Sequence, residues 1–192
     1  MFIKDIAEVQ AGFAFREAIV PNREGNICVF QAKDLVQGVP FTNTASLIKV
    51  SLELPEYVGH LRKNDVLLVA RGMKAGTFRS TVFNTDEVNV IASSSVHIIR
   101  ITANDVIPEY VSHYLNCKDG QNAISEILSG AHIGVIPRKE LENMKIPIPV
   151  IGKQKSIVNL MNNMREQQRI VEKRNALKQE IIDGTFRNLT TK

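Results

Sequence analysis

The sequence predicts an α+β domain with a mixed sheet, followed by a long C-terminal helix. Apolar, β-branched runs at residues 27–32, 66–70 and 88–101 are typical of strands and come before the predicted helices. Helical spacing of apolar residues comes later, from Pro108 onward. Residues 153–182 contain neither proline nor glycine, and this composition predicts one helix about 45 Å long.

The length of 192 residues leaves room for one domain at residues 1–150 and a helical arm at residues 151–192. The two cysteines, Cys28 and Cys117, have no metal-ligand spacing and fit a reducing cytoplasm. The N-terminus has no apolar leader, and no run of 18 apolar residues occurs. We therefore expect a cytoplasmic protein with no membrane segment.

Charge is distributed unevenly along the chain. The overall net charge is +4, of which residues 1–150 contribute −1 and residues 151–192 contribute +5. Within the domain, residues 62–83 carry five basic side chains and one acidic side chain. Such a basic stretch is compatible with a nucleic-acid surface and equally with a solvated run of surface charge.

The strands are predicted from short apolar runs between turn residues. Residues 66–70 form the clearest strand, because an unbroken apolar run indicates burial on both faces. Residues 3–9 mix apolar and charged types and are compatible with a short helix or a strand end. Turns are predicted at residues 33–35 and 93–95. Strands are accordingly predicted at residues 27–32, 66–70, 88–92 and 95–101.

Three short helices are predicted before the long one. A helix at residues 108–117 has proline in its first turn, a second at 121–128 stops before Gly130, and a third of one or two turns covers 137–143. Pro147 and Pro149 then hold the chain extended, since each ring excludes its predecessor from helical backbone angles.

Residues 71–79, directly after the buried strand, are the most suggestive binding element. They contain two glycines, a phenylalanine and the cations Arg71, Lys74 and Arg79, so we expect an exposed, mobile, positive loop. The segment lacks the Gly-Lys-Ser/Thr ending of a phosphate-binding P-loop and the third glycine of a dinucleotide turn.

The apolar residues of the long helix form two stripes. At 100° per residue one stripe runs the length of the helix, and a second, about 120° away, occupies its C-terminal half. Polar residues at 168, 175 and 178 interrupt the heptad seam. The helix therefore either docks on its own domain or pairs with a partner helix as a coiled coil. Interface residues are predicted at Ile157, Met161, Met164, Val171, Leu177 and Ile181.

The sequence shows no reaction centre. The four histidines are scattered, no acid/base carboxylate pair stands out, and no nucleophilic serine is flanked by glycines. His97 alternates within a strand and is expected to be structural. We therefore expect a binding module that is not an enzyme and that holds no metal or cofactor of its own.

Five pieces of the chain, in this order and spacing, are similar to a known family. The chain resembles the specificity subunit of type I restriction–modification enzymes, at half the usual length. The pieces are Gln31-Ala-Lys-Asp-Leu, Lys63-Asn-Asp-Val-Leu-Leu-Val-Ala-Arg-Gly, Ala92-Ser-Ser-Ser-Val-His-Ile-Ile-Arg, Ile107-Pro-Glu-Tyr with Tyr114-Leu-Asn, and residues 141–154 with Ile157-Val158.

The resemblance implies target-recognition domains that read double-stranded DNA, joined to long helices that pair and dock methyltransferase subunits. A usual subunit has two such domains and two helices, whereas this chain has one of each. A two-fold homodimer is the implied solution, reading a bipartite site with two inverted, identical halves. Adenine methylation and S-adenosylmethionine belong to the partner methyltransferase subunit, and cleavage to a further restriction subunit.

Residues that contact DNA are predicted from charge, because recognition domains differ in these positions. Arginines can contact guanine edges, and all the cations can contact phosphates. The alternative function is a protein-interaction adaptor whose domain does not read DNA; a stand-alone nuclease or transferase is a third hypothesis. The predicted DNA-binding residues are Arg71, Lys74, Arg79, Lys33, Lys49, Arg138 and Lys139.

Overall fold

The computed structural model describes residues 1–55, 59–72, 77–128 and 134–190, with side chains to residue 187. Short 3-10 helices lie at Ile3–Asp5, Ala32–Asp34 and Thr44–Ser46. The strands are β1 (Ala7–Ala11), β2 (Ile27–Phe30), β3 (Ile48–Val50), β4 (Val66–Val69), β5 (Arg71–Gly72), β6 (Ser80–Val82), β7 (Val90–Ala92), β8 (Val96–Ile101) and β9 (Gly134–Val135). The helices are α1 (Pro108–Asn116), α2 (Lys118–Ile127), α3 (Arg138–Glu142) and α4 (Ile151–Thr190).

In the described part of the chain the strands form a larger sheet, a smaller sheet and a short ribbon. The larger sheet has the order β1–β8–β4–β6 and is antiparallel throughout. The smaller sheet has the order β3–β2–β7, with β2 antiparallel to β3 and parallel to β7. Strands β5 and β9 pair antiparallel as a separate ribbon. The predicted α+β class with a mixed sheet and a long C-terminal helix is confirmed.

The core lies where the two sheets meet. All four residues of β4 are buried, as its unbroken apolar run predicted. Leu67 and Val69 of β4 join Phe30 of β2 and Ile98 of β8 in one apolar cluster. Phe83 lies in the same cluster, stacked on Phe41 with ring centroids 5.8 Å apart. The last residues of β2, β4 and β7, which are Phe30, Val69 and Ala92, all belong to this cluster, so packing holds these strand ends in place.

An ion pair between Asp65 and Arg100 fastens the start of β4 to β8. Arg100 donates to both carboxylate oxygens, at 2.8 and 2.7 Å, and the backbone N–H of Arg62 also donates to the carboxylate. The Asp65 side chain is 1% exposed and that of Arg100 is 15% exposed. The bonded carboxylate raises the pKa of Arg100. Three hydrogen bonds, two of them from the Arg100 guanidinium, therefore stabilise the buried carboxylate.

Replacing Arg100 by alanine is expected to lower the free energy of unfolding by about 3–5 kcal/mol, because it leaves the buried Asp65 carboxylate without its counter-charge. Lys63→Ala is the matched control: its pair with Asp86 is exposed, and its loss should cost less than about 1 kcal/mol. Urea denaturation of both variants measures the difference. Equal, small losses would show that Asp65 does not depend on Arg100.

The short helices are bound to the larger sheet by side-chain hydrogen bonds. Asn116 of α1 accepts from the backbone N–H of Ser80 and donates to the Ser80 carbonyl, at 2.8 and 2.9 Å.

Helix α2 begins at Lys118, three residues before the predicted start. It can do so because Gly120 approaches the Tyr114 carbonyl so closely that no Cβ would fit. Strand β9 follows α2, so strands and helices are less segregated than predicted.

Helix α4 is longer at both ends than the predicted 153–182, because it includes Gly152 and Gly184. Glycine costs only about 1 kcal/mol in a helix, which a long helix tolerates.

The first turn of α4 carries the fully buried Gln154. The Gln154 amide accepts from Ile107 N–H at 2.9 Å and donates to the carbonyls of Asp105 and Pro149, both at 2.8 Å.

The chain divides into two units, Met1–Gln154 and Lys155–Lys192. In the second unit, the predicted interface residues Ile157, Met161, Met164, Val171, Leu177 and Ile181 are all exposed. A single helix cannot cover its own apolar stripes. Coiled-coil pairing and the functional division at residue 150 remain predictions.

Candidate nucleic-acid interface

Three of the predicted cations come together where β2, β4 and β7 end. The Ala32 N–H donates to Ser95 Oγ at 3.1 Å, and the Ala70 N–H donates to the Ser95 carbonyl at 2.8 Å. Arg79 Nη2 donates to the Ala32 carbonyl at 3.2 Å. These bonds bring the residues next to Ala32 and Ala70 close to Arg79. We call Lys33, Arg71 and Arg79 the basic edge.

The three cations of the basic edge differ in exposure and in hydrogen bonding. Lys33 and Arg71 are exposed, whereas Arg79 is half-buried and is held by its bond to Ala32. Lys33 shares its surface with Glu17, and the Asp34 carboxylate is occupied by the Gln31 N–H at 2.8 Å. The basic edge is therefore a positive surface with an acidic neighbour, built on strand ends that the core fixes.

The prediction of an exposed, mobile loop at residues 71–79 is confirmed for the exposure of Arg71 and is wrong in two respects. Arg71 and Gly72 form β5, and Phe78 is 1% exposed. The reason is the pairing of β5 with β9, which binds the backbone of the first two residues, while the Phe78 ring fills the space beneath them. Lys74 lies outside the described residues.

The β5–β9 ribbon has one face against the protein interior. Gly72 and Gly134 are directly paired, and a Cβ on either residue would meet the Phe78 ring. The Phe78 carbonyl accepts from the buried Gln121 amide at 2.8 Å. Glycine thus leaves room for the Thr77 hydroxyl and the Phe78 ring beside Gly72, and for Leu128 and Phe78 beside Gly134, so this face of the ribbon lies against the Phe78 ring.

His97 is hydrogen-bonded to the backbone of Ile136, the residue that follows β9. Its Nε2 lies 2.7 Å from the Ile136 carbonyl, and Ile136 N–H donates to Ala70 at 2.9 Å. Burial lowers the pKa of His97, so the neutral ring donates Nε2–H to the carbonyl. This buried position is that of a structural histidine.

The remaining predicted cations do not join the basic edge as one cluster. Arg138 and Lys139 are exposed in α3, which starts two residues after Ile136, and Arg138 pairs with Glu142 at 2.7 Å. Lys49 is exposed on β3, opposite Cys28 near the start of β2. Because the basic edge lies at the other end of β2, Lys49 belongs to a different surface.

Sequence reasoning missed Val135, which is directly opposite Arg71 in the ribbon and is 47% exposed. A strand of two residues has no detectable hydrophobic period, so only the three-dimensional pairing reveals it. The turn predicted at residues 93–95 is present, with Ser93 Oγ and Ser95 Oγ 2.7 Å apart.

The polar residues in the five family-like pieces have structural roles. Asp65 pairs with Arg100, Asn116 binds Ser80, and Gln154 is bound as described above. Tyr110 likewise donates to the Pro147 carbonyl at 2.6 Å. Polar residues in four of the five pieces therefore take part in hydrogen bonds that hold the fold together.

In the described part of the chain, no three His, Cys, Asp or Glu side chains are grouped closely enough to hold a metal ion. None of the helices described has the length and apolar character needed to cross a bilayer.

Comparison with known proteins identifies the family. The model of the type I restriction modification DNA specificity domain matches residues 1–180. The chain therefore belongs to this family of specificity domains, as the five sequence pieces indicated. A comparison with curated proteins found no match.

Solved structures show the same fold. The chain is similar to the HsdS subunit from Thermoanaerobacter tengcongensis, with 18% identity and a TM-score of 0.63 over 97% of this chain and 44% of that one. A chain from a study of complex assembly and conformational transition of a type I restriction–modification system gives 16% identity and a TM-score of 0.65, covering 96% and 42%. The S subunit from M. genitalium gives 15% and 0.58, covering 96% and 43%. This chain thus spans less than half the length of each.

Proposed function

We propose that this chain is the DNA-recognition subunit of a type I restriction–modification enzyme, has no catalytic activity of its own and reads one half of a bipartite site. The observation that carries the proposal is the family match over residues 1–180, which includes the whole of the first unit and most of α4. The proposal assigns residues 1–150 to DNA recognition and residues 151–192 to assembly.

The basic edge supports DNA reading by the first unit. Lys33 and Arg71 are exposed and can reach phosphates, while Arg79 is held in place by its bond to Ala32. Their backbone is fixed by bonds among Ala32, Ala70 and Ser95. A positive surface whose backbone is already ordered binds a duplex at a smaller cost in conformational entropy. Lys74 remains proposed as a contact beside Arg71 and Arg79, and Arg138, Lys139 and Lys49 are proposed as lesser contacts to the DNA backbone.

The exposed stripes of α4 support assembly. Two copies of the helix pair along Ile157, Met161, Met164 and Val171, and the second stripe, with Leu177 and Ile181, contacts a methyltransferase subunit or the paired helix. A two-fold homodimer presents two identical domains to two inverted half-sites. Double-stranded DNA and the methyltransferase are then the direct partners, and the restriction subunit joins the full complex.

The test of recognition is a methylation assay with the methyltransferase subunit of the same host, labelled S-adenosylmethionine and plasmid DNA. The methyltransferase alone is expected to transfer no label, and addition of this chain should give saturation at a small number of adenines per plasmid. Label incorporation that is unchanged by the chain contradicts the proposal and favours the adaptor alternative.

A further inference from the structure

We propose that the outward face of the β5–β9 ribbon, formed by Arg71 and Val135, reads neighbouring base pairs in the major groove. Arg71 recognises a guanine, and Val135 contacts the methyl group of a thymine. This inference rests on the proposed function and deepens it, because it assigns two base-reading residues and the bases that each one selects.

The direction of the two side chains follows from the glycine pair beside them. A Cβ on Gly72 or Gly134 would meet Phe78, so that face of the ribbon is turned inward. Side chains alternate between faces along a strand, and directly paired residues share a face. Arg71 and Val135 are directly paired, so both point away from Phe78, and both are exposed.

The next residues on both strands confirm this alternation. Ala70 precedes Arg71 and is 2% exposed, and Ile136 follows Val135 and is 1% exposed. The Ile136 N–H donates to the Ala70 carbonyl at 2.9 Å, which continues the pairing inward from the ribbon. The ribbon thus continues directly from buried residues of the core and presents one arginine and one valine side by side.

The dimensions and chemistry of this face suit the major groove. Two paired strands lie about 4.8 Å apart, and the groove is about 12 Å wide and admits a two-stranded ribbon. An arginine fork matches the O6 and N7 acceptors of guanine, and an apolar side chain matches the thymine methyl. Lys33 and Arg79, at the adjoining strand ends, are placed to hold the phosphates beside the groove.

The experiment begins with the methylated site that the wild-type chain and the host methyltransferase produce, mapped by sequencing. Duplexes carrying that site are then made with each thymine in turn replaced by deoxyuracil, which lacks the methyl group. At one position next to a guanine, wild-type affinity should fall about fourfold, the value expected for one buried methyl group. Val135→Ala should bind the two duplexes equally, and Arg71→Gln should lose the guanine preference at the neighbouring position.

Val88→Ala is the matched control, because Val88 is 73% exposed and precedes β7, at the end of that strand away from the basic edge. Val88→Ala should retain the effect of about fourfold on replacement of the thymine. Val135→Thr keeps the β-branched shape and one methyl group, so it should fold and retain a reduced effect; thermal unfolding verifies the fold of every variant. If Val135→Ala still distinguishes the thymine duplex from the deoxyuracil duplex as fully as the wild type does, the assignment of Val135 is overturned. A site with no thymine beside guanine overturns it as well. Either result leaves the proposed function standing. A wild-type chain that defines no site overturns the proposed function as well.

Discussion

Replacing Met164 and Val171 by glutamate is expected to convert a dimer of twice 21.4 kDa into a monomer of 21.4 kDa. The two residues lie seven positions apart on the stripe that runs along α4, and both are exposed in the single chain. In a two-fold helix pair the double variant places four glutamates in the seam. Each unpaired buried charge costs several kcal/mol, so pairing is lost. Methylation with the host methyltransferase should be lost as well.

Light scattering across a dilution series measures the mass of both chains. The control is Asn162→Glu with Ala176→Glu, which adds the same charge on a face of α4 away from both apolar stripes. The control should remain a dimer. A glutamate variant that keeps twice the chain mass, or a wild-type chain that is monomeric throughout, contradicts the paired-helix proposal and the inverted-site prediction that depends on it.

Reversing the charge of Arg71 and Arg79 is expected to lower affinity for the target duplex at least about 30-fold, since each arginine contact with DNA is worth about 1–3 kcal/mol. Arg71 is exposed on the ribbon, and Arg79 is bonded to the Ala32 carbonyl. Because both belong to the basic edge, the two substitutions change the charge of one surface. The dependence of affinity on salt should also weaken, by a slope of about 1 for each phosphate contact removed.

The control for this variant is Arg23→Glu with Lys145→Glu, which changes the net charge equally. Arg23 lies in the turn before β2, and Lys145 pairs with Phe2 before β1, so both lie at the ends of those strands away from the basic edge. Fluorescence anisotropy at several salt concentrations compares the two variants. Equal losses of affinity in both variants would show that binding depends only on the overall charge of the protein. If neither variant lost affinity for DNA, the adaptor alternative would gain support.

The sequence predicted those elements in which a long local pattern and burial agree. The apolar run at 66–70 became β4, buried at every residue, and the proline-free segment after Gly152 became most of α4. The helix was predicted too short because isolated glycines were treated as ends, although a long helix tolerates them at about 1 kcal/mol each.

The candidate site was less predictable, because it depends on pairing between distant residues. Gly72 and Phe78 suggested a loop, whereas β9, more than 60 residues away, converts Arg71 and Gly72 into a strand. Composition identified Arg71 and Arg79 as cations, but only the bond to Ala32 shows that Arg79 is fixed. Val135 had no sequence signal at all.

The measurement that tests the central claim most directly is the position of every methylated adenine in DNA exposed to this chain and its host methyltransferase. A two-fold dimer of DNA-reading subunits predicts a single bipartite motif, whose halves are inverted copies of one another at a fixed separation. Methylation at unrelated sequences, or a pattern that persists when the chain is omitted, would contradict the account.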